Sequence, residues 1–327
     1  MGRKYKRLFD QIVSHENFMD AYARTRKGKR KSYSYLEFKE YAELNVEQLR
    51  EQVADMAYVM SPFRQFYIFD PKLRLISGLP FKDRVVQHAL NNVLEPIFDR
   101  AMLPYTYACR KGGGLHAGVK HIQSAMRRTG ATHFLKTDYS KYFPSVLRPT
   151  LYSLIEAKVK CPRTMWLKEA ITPREGVGLH IGSLASQLDA NLYGTQSDRF
   201  IHHELKPLAW ARYMDDIVVL GRNSSDLRAM KDRLEAHAHD VMGMRFSKWM
   251  VAPVNRGVNF LGYRIWPRHK LLRKQSVQRA KRKIKAMSQR GDEEALQRFL
   301  SAWTGHARWA DVQNLFSSME IDNDRSN

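Results

Sequence analysis

The sequence predicts an α+β fold, and three observations lead to it. Segments with strand-like and helical patterns of apolar residues follow one another without strict alternation. Hydrophobic residues make up 43% of the 327 residues, which is enough for a core and for two or three subdomains. No run approaches 18 apolar residues, so we expect no helix that spans a membrane.

The spacing of apolar residues and the turn-forming residues between them place each element. The predicted elements, in chain order, are paired strands at 65–70 and 73–78 around Pro71 and Lys72, a helix at 82–102, a strand beginning at 132, a helix at 183–205 with Ser183 as its N-cap, two short strands meeting at 215–216, a helix at 225–242 capped by Ser225, a strand at 257–267 and a helical tail from 275.

Positive charge dominates the composition and predicts a polyanionic partner. The formal net charge is +22, and six of the eight residues at 24–31 are basic. Residues 241–291 contain 14 lysines and arginines and no acidic residue. A charge run is usually a solvated surface, but a stretch of this length without an acid favours a surface that binds nucleic acid.

Two further features suggest the setting of the protein. Cys109 and Cys161 are the only cysteines, too few for a disulfide framework or a cysteine metal site. The first residues, MGRKYKRLFDQ, have no apolar core of the kind that a signal peptide requires. We therefore expect a cytoplasmic protein with no membrane partner.

An aspartate pair lies where two apolar strands meet, in ARYMDDIVVLG at residues 211–221. Asp215 and Asp216 could form an ordinary turn, in which Asp is common, or could present paired carboxylates to a hard divalent cation. Asp138 ends an earlier strand, HFLKTD, 77 residues before Asp215. A carboxylate on one strand that faces a pair on a neighbouring hairpin is the arrangement that two-metal nucleotide transfer requires.

Several motifs taken together resemble the reverse transcriptases. KTDYSKYFPS is followed by GLHIGSLASQLDANLY, by YMDD and by NFLGY, in the order of that family. The form Ile-Gly-x-x-x-Ser-Gln at residues 181–187 is similar to the reverse transcriptases of diversity-generating retroelements, although His180 stands where they usually have Pro. The resemblance implies a right-hand polymerase with an N-terminal basic helical extension (1–62), fingers (63–130), a palm with the active site (131–266) and a short helical thumb (267–327).

The resemblance also implies a metal site and a nucleotide site. Asp138, Asp215, Asp216 and the backbone carbonyl of Tyr139 would bind two Mg²⁺ ions, for which Mn²⁺ could substitute. The residues implied at the nucleotide are Arg74 and Lys72 on the triphosphate, Phe143 as a steric gate against the ribose 2′-oxygen, Ile181 where accurate relatives hold a Gln, Gln187 in the same motif, and Lys248 as a general acid for the pyrophosphate. Phe143 and Ile181 could instead be core residues, and Lys72 and Lys248 could instead be surface residues of a basic groove.

Nucleic-acid contacts are implied for two segments near the C-terminus. One resembles the primer grip, and the other is a basic helix that would follow the duplex minor groove. The implied residues are Phe260, Leu261, Gly262, Tyr263, Arg273, Lys274, Lys281, Arg282, Lys283 and Lys285.

The function implied is the synthesis of error-prone cDNA, mutated chiefly at template adenines, for transfer into a variable gene. The implied partners are a template-repeat RNA, the cDNA, dNTPs and a small basic oligomeric accessory protein, the accessory variability determinant, in the cytoplasm of a bacterial host. Two alternatives stay open at this stage. One is a reverse transcriptase of another prokaryotic group, for example one used in defence, and the other is a non-catalytic RNA-binding protein on a polymerase fold.

Overall fold

The computed structural model describes residues 4–69 and 72–319 and confirms the predicted α+β class. Pro71 of the predicted strand connection lies outside these residues. The helices are α1 Phe9–Ile12, α2 His15–Thr25, α3 Tyr33–Glu40, α4 Ala42–Ala54, α5 Phe81–Asp99, α6 Leu115–Thr129, α7 Tyr142–Ser145, α8 Arg148–Glu156, α9 Pro162–Ile171, α10 Leu184–Tyr193, α11 Thr195–Phe200, α12 Ser224–Met242, α13 Lys274–Gln289, α14 Glu293–Ala307 and α15 Gln313–Ser317. The strands are β1 Arg64–Phe69, β2 Leu73–Gly78, β3 His133–Tyr139, β4 Ala209–Tyr213, β5 Asp216–Gly221, β6 Phe246–Pro253, β7 Val258–Phe260, β8 Tyr263–Ile265 and β9 Lys270–Leu272.

The chain divides into two compact units, and it passes back and forth between them. The first unit comprises residues 1–104, 139–200 and 234–247, and the second comprises 105–138, 201–233 and 248–327, each within the described limits. The units do not follow the four predicted sequence segments, because the segment 131–266 contributes to both. None of the described helices combines the length and the apolar composition needed to cross a membrane.

The first unit is built around α5, whose one face is fully buried. α2 packs along it, and Asn17 of α2 donates from Nδ2 to the Ala89 carbonyl of α5 over 2.9 Å. Aromatic rings close the start of the helix, where Phe81 contacts Tyr35 at 5.2 Å and Phe38 at 5.1 Å between ring centroids. The predicted strand pair forms beside this core as an antiparallel hairpin of β1 and β2.

The second unit contains most of a four-stranded sheet in the order β4-β5-β3-β6 and a three-stranded sheet in the order β7-β8-β9. Its core is one apolar cluster that collects side chains from α6, from the strands of both sheets and from the C-terminal helices. The predicted strand at 257–267 is wrong as a single element. It is a hairpin, because Leu261 and Gly262 both adopt positive φ (50° and 90°) and turn the chain between β7 and β8.

Ser183 is the N-cap residue of α10, as predicted, but its side chain does not cap the helix. Ser183 makes no capping bond within α10 and instead donates from Oγ to Gln87 Oε1 over 3.2 Å. That amide oxygen itself accepts from the backbone nitrogens of Leu184 and Ala185, so a side chain from α5 caps the helix. Tertiary contacts of this kind leave no local signal in the sequence.

The predicted cap of α12, Ser225, is wrong. Asn223 Oδ1 accepts from the Asp226 nitrogen over 2.8 Å, whereas Ser225 lies inside the helix and donates to Asn223. Asn is as good a cap as Ser, so the local pattern did not decide between Asn223 and Ser225.

The single helix predicted at 183–205 is also wrong, because it is divided at Gly194 and ends in a π-helical turn over Ile201–Leu205.

A buried ion pair links α9 and α10 in the first unit. Lys168 Nζ lies 2.7 Å from Asp189 Oδ2, and the two side chains are 2% and 1% exposed. Burial raises the pKa of Asp189 in spite of the attraction of the Lys168 ammonium. Removing one partner of such a pair leaves an uncompensated buried charge.

We expect Lys168→Met to lower the free energy of unfolding by about 3–5 kcal/mol, because Asp189 then loses its counter-ion in a buried site. The double variant Lys168→Met/Asp189→Leu serves as the matched control and should recover most of the loss. Urea unfolding followed by circular dichroism measures both. A single variant that loses less than about 1 kcal/mol would show that the pair does not depend on mutual compensation.

Candidate active site

Asp138, Asp215 and Asp216 lie at one end of β3 and β5, the two central strands of the four-stranded sheet. β3 and β5 pair antiparallel, in a register that sets Asp138 directly opposite Asp216. β4 and β5 form a hairpin in which Tyr213 pairs with Asp216, so Met214 and Asp215 make a two-residue turn. Met214 has φ of 55°, as the first central position of the tight hairpin turns requires. The turn thus holds Asp215 beside the Asp138–Asp216 pair.

A buried arginine supports this turn and was missed from the sequence. Arg212 is fully buried, and its Nη1 donates to the Met214 carbonyl over 3.1 Å. On the outer edge of β4, its backbone nitrogen donates to the Tyr105 carbonyl over 2.9 Å, and its carbonyl accepts from Tyr107 N over 3.0 Å. The signal was present in the sequence as a charged residue between apolar neighbours on a strand, since such a residue is buried only when it is paired or hydrogen-bonded.

The surroundings of the Asp215 carboxyl favour its protonated form. Burial, together with a hydrogen bond to Asp138 and the charge of that carboxylate, raises the pKa of Asp215 to about 6. Two carboxylates in contact cannot both ionise without a large repulsion. A divalent cation bound here would offset this repulsion.

Two basic side chains balance part of the charge at Asp216. Lys136 Nζ lies 3.0 Å from Asp216 Oδ2, and Arg273 adds an attraction from the start of α13. The pKa of Asp216 is nevertheless raised, chiefly because the carboxylate is buried. Lys136 was also missed, although it stands two residues before Asp138 and therefore shares its face of β3.

The carboxylates fit a divalent cation by their chemistry. Asp216 Oδ1 is buried, and it accepts no hydrogen bond from the described residues. Within the described ranges, no three His, Cys, Asp or Glu side chains converge as a ready-made metal cage. Mg²⁺ does not need one, since it retains waters and is held through one or two carboxylates together with substrate phosphates.

The remaining predicted residues of the second unit divide into exposed and buried groups. Lys248 on β6 is exposed, as are Lys274, Lys281, Arg282, Lys283 and Lys285 of α13. Arg273 differs from these, because it is half-buried and directed toward the aspartates, not along the exposed face of the helix. The side chains of Phe260 and Tyr263 lie in the apolar core, so the turn residues Leu261 and Gly262 are the ones left to touch a ligand.

Apart from Lys248, the residues predicted at the nucleotide lie in the first unit. Lys72 and Arg74 are exposed at the β1–β2 hairpin. The end of β2 is hydrogen-bonded to the loop before α10: Ser77 N donates to the Ile181 carbonyl over 2.7 Å. Gly182 allows this approach, since a Cβ there would lie 2.9 Å from the Ser77 carbonyl.

Tyr139, Phe143 and Gln187 are further predicted site residues of the first unit. Tyr139 is buried, and its ring stacks on Tyr142 at 5.6 Å between centroids. Phe143 in α7 is half-buried with its ring edge toward Tyr142. Gln187 is exposed on α10, while Ser186 beside it is buried. His180, the departure from the resembling family, bonds Ser77 Oγ over 3.2 Å and packs on Phe63.

Comparison with known proteins places this geometry in a family. The family model "Reverse transcriptase (RNA-dependent DNA polymerase)" matches residues 70–265. The chain is 23% identical to Protein YkfC of Escherichia coli over 277 residues, which cover 70% of this chain and 71% of that protein. It is 20% identical to the group II intron-encoded protein LtrA of Lactococcus lactis over 302 residues, covering 69% of this chain and 50% of LtrA.

A solved telomerase from Candida albicans, in complex with a fragment of telomeric RNA, aligns with 67% of this chain and 48% of its own, at a TM-score of 0.49 and 10% identity. The chain spans about half the length of LtrA. The family match confirms the polymerase fold that the motifs implied.

The carboxylate cluster predicts an unusual pH dependence of stability. The pKa of Asp215 is about 6 in the folded chain against an ordinary value of 3.8. The folded state therefore binds this proton more tightly than the unfolded state, so the group stabilises the metal-free fold below pH 4. That contribution should be lost as the pH rises to about 6.

At pH 7 we expect metal-free Asp215→Asn to be more stable than the wild type by about 1–3 kcal/mol, because the repulsion is removed. Mg²⁺ should then stabilise the wild type and not the variant. Thermal denaturation at pH 4 and pH 7, with and without Mg²⁺, measures both effects. Glu293→Gln, an exposed change of the same charge, is the control, and an identical response from it would contradict the assignment.

Proposed function

The chain belongs to the reverse transcriptase family, which comprises RNA-dependent DNA polymerases, and from this premise we propose that it copies a template-repeat RNA into error-prone cDNA. The observation that carries the catalytic part is the register that sets Asp138 opposite Asp216, with Asp215 in the adjoining turn. Reverse transcriptases generally use divalent metal ions, and we propose two Mg²⁺ ions here, with Mn²⁺ as a possible substitute.

Asp138, Asp215 and Asp216 would hold the ions. Metal ions bound there would lower the pKa of the primer 3′-hydroxyl and neutralise the triphosphate. The Tyr139 carbonyl is proposed as a further oxygen ligand, since it follows Asp138 directly. Lys136, whose Nζ lies 3.0 Å from Asp216 Oδ2, favours the charged form of that carboxylate and so opposes the effect of its burial.

The nucleotide would be held by residues of the β1–β2 hairpin and of the loop before α10. Arg74 can bind the triphosphate bidentately, and exposed Lys72 can add a second charge. Phe143 is proposed as the steric gate, and its half-buried ring would exclude a ribose hydroxyl by volume. Ile181 and Gln187 would lie toward the base pair. Lys248 is proposed as the general acid that protonates pyrophosphate.

The template and primer would be bound mainly through their phosphates. The Leu261–Gly262 turn is proposed as the primer grip, because it is the half-exposed part of an otherwise buried hairpin. The exposed face of α13 carries Lys281, Arg282 and Lys283, and no acidic residue occurs on that helix. Contacts of this kind fix the position of a duplex without reading its sequence.

The subtype rests on the segment at residues 181–187. A branched apolar residue at 181 cannot make the polar contacts that a Gln makes, so the gap in binding energy between right and wrong base pairs narrows. This supports a diversity-generating retroelement enzyme that works in a bacterial cytoplasm with the accessory variability determinant, a small basic oligomer. Template and variable repeats beside the gene would distinguish it from a defence-type reverse transcriptase.

A non-catalytic RNA-binding protein is the second candidate. The basic α13 and the charge of +22 would serve it equally well. The retention of all three carboxylates, in a register that brings them together, favours the enzyme.

We expect Asp215→Asn to abolish nearly all Mg²⁺-dependent DNA synthesis on an RNA template while RNA binding is retained, because binding rests on the basic surface. Primer extension and fluorescence anisotropy measure the two properties on the same protein. Glu293→Gln is again the matched control. Substantial synthesis by the variant would remove Asp215 from the metal site.

Fidelity provides a separate test. Ile181→Asn or Ile181→Gln should improve discrimination between correct and incorrect nucleotides by about 1.4 kcal/mol, and so reduce misincorporation about tenfold. The reason is that a polar side chain can form contacts that favour the correctly paired nucleotide. The effect should be largest opposite template adenine. The loop should keep its path, because its bond to Ser77 is made by the backbone.

Steady-state insertion of correct and incorrect dNTPs, compared as ratios of kcat/KM, measures this change. Val177→Asn, at a 60% exposed position of the preceding loop, is the matched control. If the ratio is the same in the wild type and in Ile181→Asn, selectivity is set elsewhere and Ile181 is a packing residue.

A further inference from the structure

An arginine-rich surface outside the carboxylate cluster is not used by the proposed reaction. It lies in the second unit on the outward side of the β7–β8 hairpin and the adjoining loops. We define the arginine–tryptophan surface by Arg127, Arg256, Arg264, Trp266, Arg268 and His269. These residues come from three separate stretches of the chain, which the contacts of Arg127, Arg264 and Trp266 bring together.

The surface arises because side chains along β8 point alternately into the core and toward solvent. Tyr263 and Ile265 point into the apolar core, so Arg264 between them points out and is exposed. Its Nε and Nη2 both donate to the Arg256 carbonyl, over 2.8 and 2.5 Å, and its guanidinium lies 5.1 Å from the centre of the Trp266 ring. An arginine that is held in place in this way loses little freedom when it binds a phosphate.

Trp266 is the fixed centre of the surface. Its ring nitrogen donates to the Asn255 carbonyl over 2.8 Å, and its backbone nitrogen donates to the His269 carbonyl over 2.8 Å. His269 stacks on the indole with ring centroids 4.5 Å apart and planes 16° apart. Gly257 is required beneath the ring, since a Cβ there would lie 2.6 Å from it. The exposed His269 ring thus ends a rigid aromatic stack.

The loop that carries Arg268 is tied to α6. Arg127 Nη1 donates to the Pro267 carbonyl over 2.8 Å, and Gln123 Nε2 donates to the Trp266 carbonyl over 3.1 Å. In the described part of the chain, none of the four arginines of this surface forms an ion pair with a carboxylate. Uncompensated arginines on a rigid base are suited to an anionic partner.

We propose that the arginine–tryptophan surface is a second RNA-binding site, which anchors a folded part of the template RNA by its phosphates. The inference rests on the proposed function for the identity of the partner. Arginine favours phosphate because its planar guanidinium binds two oxygens at once, and an exposed aromatic ring can stack on an unpaired base. An acidic protein is the competing partner, and the experiment below separates the two.

The test uses Arg256→Gln/Arg268→Gln, because the side chains of these two residues make no internal hydrogen bond in the described structure and their removal should leave the fold intact. The matched control is Arg222→Gln/Arg228→Gln, which removes the same charge from exposed positions at the start of α12, beside Asp226. Circular dichroism and thermal denaturation establish that both proteins are folded.

The measurement is fluorescence anisotropy with two probes, a long RNA that contains stable hairpins and a short RNA–DNA primer–template. The test variant should bind the folded RNA about tenfold more weakly, and its salt slope should fall by about two units, one for each lost phosphate contact. Its affinity for the short primer–template, and its kcat/KM for nucleotide insertion there, should match those of the wild type.

Three results would overturn the proposal. Unchanged binding of the folded RNA would leave an acidic protein as the partner. An equal loss in the control pair would show an effect of net charge alone. An equal loss on the short primer–template would place the surface in the polymerase groove. A wild type that extends no primer at all would instead refute the proposed function, so the two failures are distinguishable.

Discussion

The antiparallel register of β3 and β5 is the constraint on which the candidate site depends. It places Asp138 opposite Asp216, and a shift by one residue would send one of them to the other face of the sheet. The register is held by the apolar side chains that both strands bury, such as Phe134 and Val218. The stability of the core therefore maintains an arrangement of carboxylates that is itself unfavourable.

The cost of that arrangement appears in the charges around it. The pKa of Asp215 is raised to about 6, and Lys136 and Arg273 face Asp216. Basic residues close to the aspartates thus balance the cluster in the metal-free chain. α13 contains no acidic residue, and the arginines of the arginine–tryptophan surface form no ion pair with a carboxylate among the described residues. These charges are suited to an external polyanion.

Two tight hairpins present the proposed functional turns of the second unit. Met214 and Leu261 both adopt positive φ, which is costly for residues with a Cβ. Each turn is held by its surroundings, Met214 by the buried Arg212 and Leu261 by the packed strands β7 and β8. Strain of this kind persists only where the rest of the fold determines the backbone, and it is common at functional sites.

The sequence by itself determined the α+β class and the polymerase family, and it singled out the three aspartates as candidate metal ligands, because apolar periodicity and ordered motifs are local properties of the chain. The tertiary structure decided what depends on contacts between distant segments. Gln87 accepts from the first backbone nitrogens of α10, which the side chain of the N-cap residue Ser183 does not bond. Phe260 and Tyr263 are buried, and Arg273 faces the aspartates. Lys136 and Arg212 acquire their roles only when the strands pair. A side chain's partner is set by packing and register, which no single segment of the sequence contains.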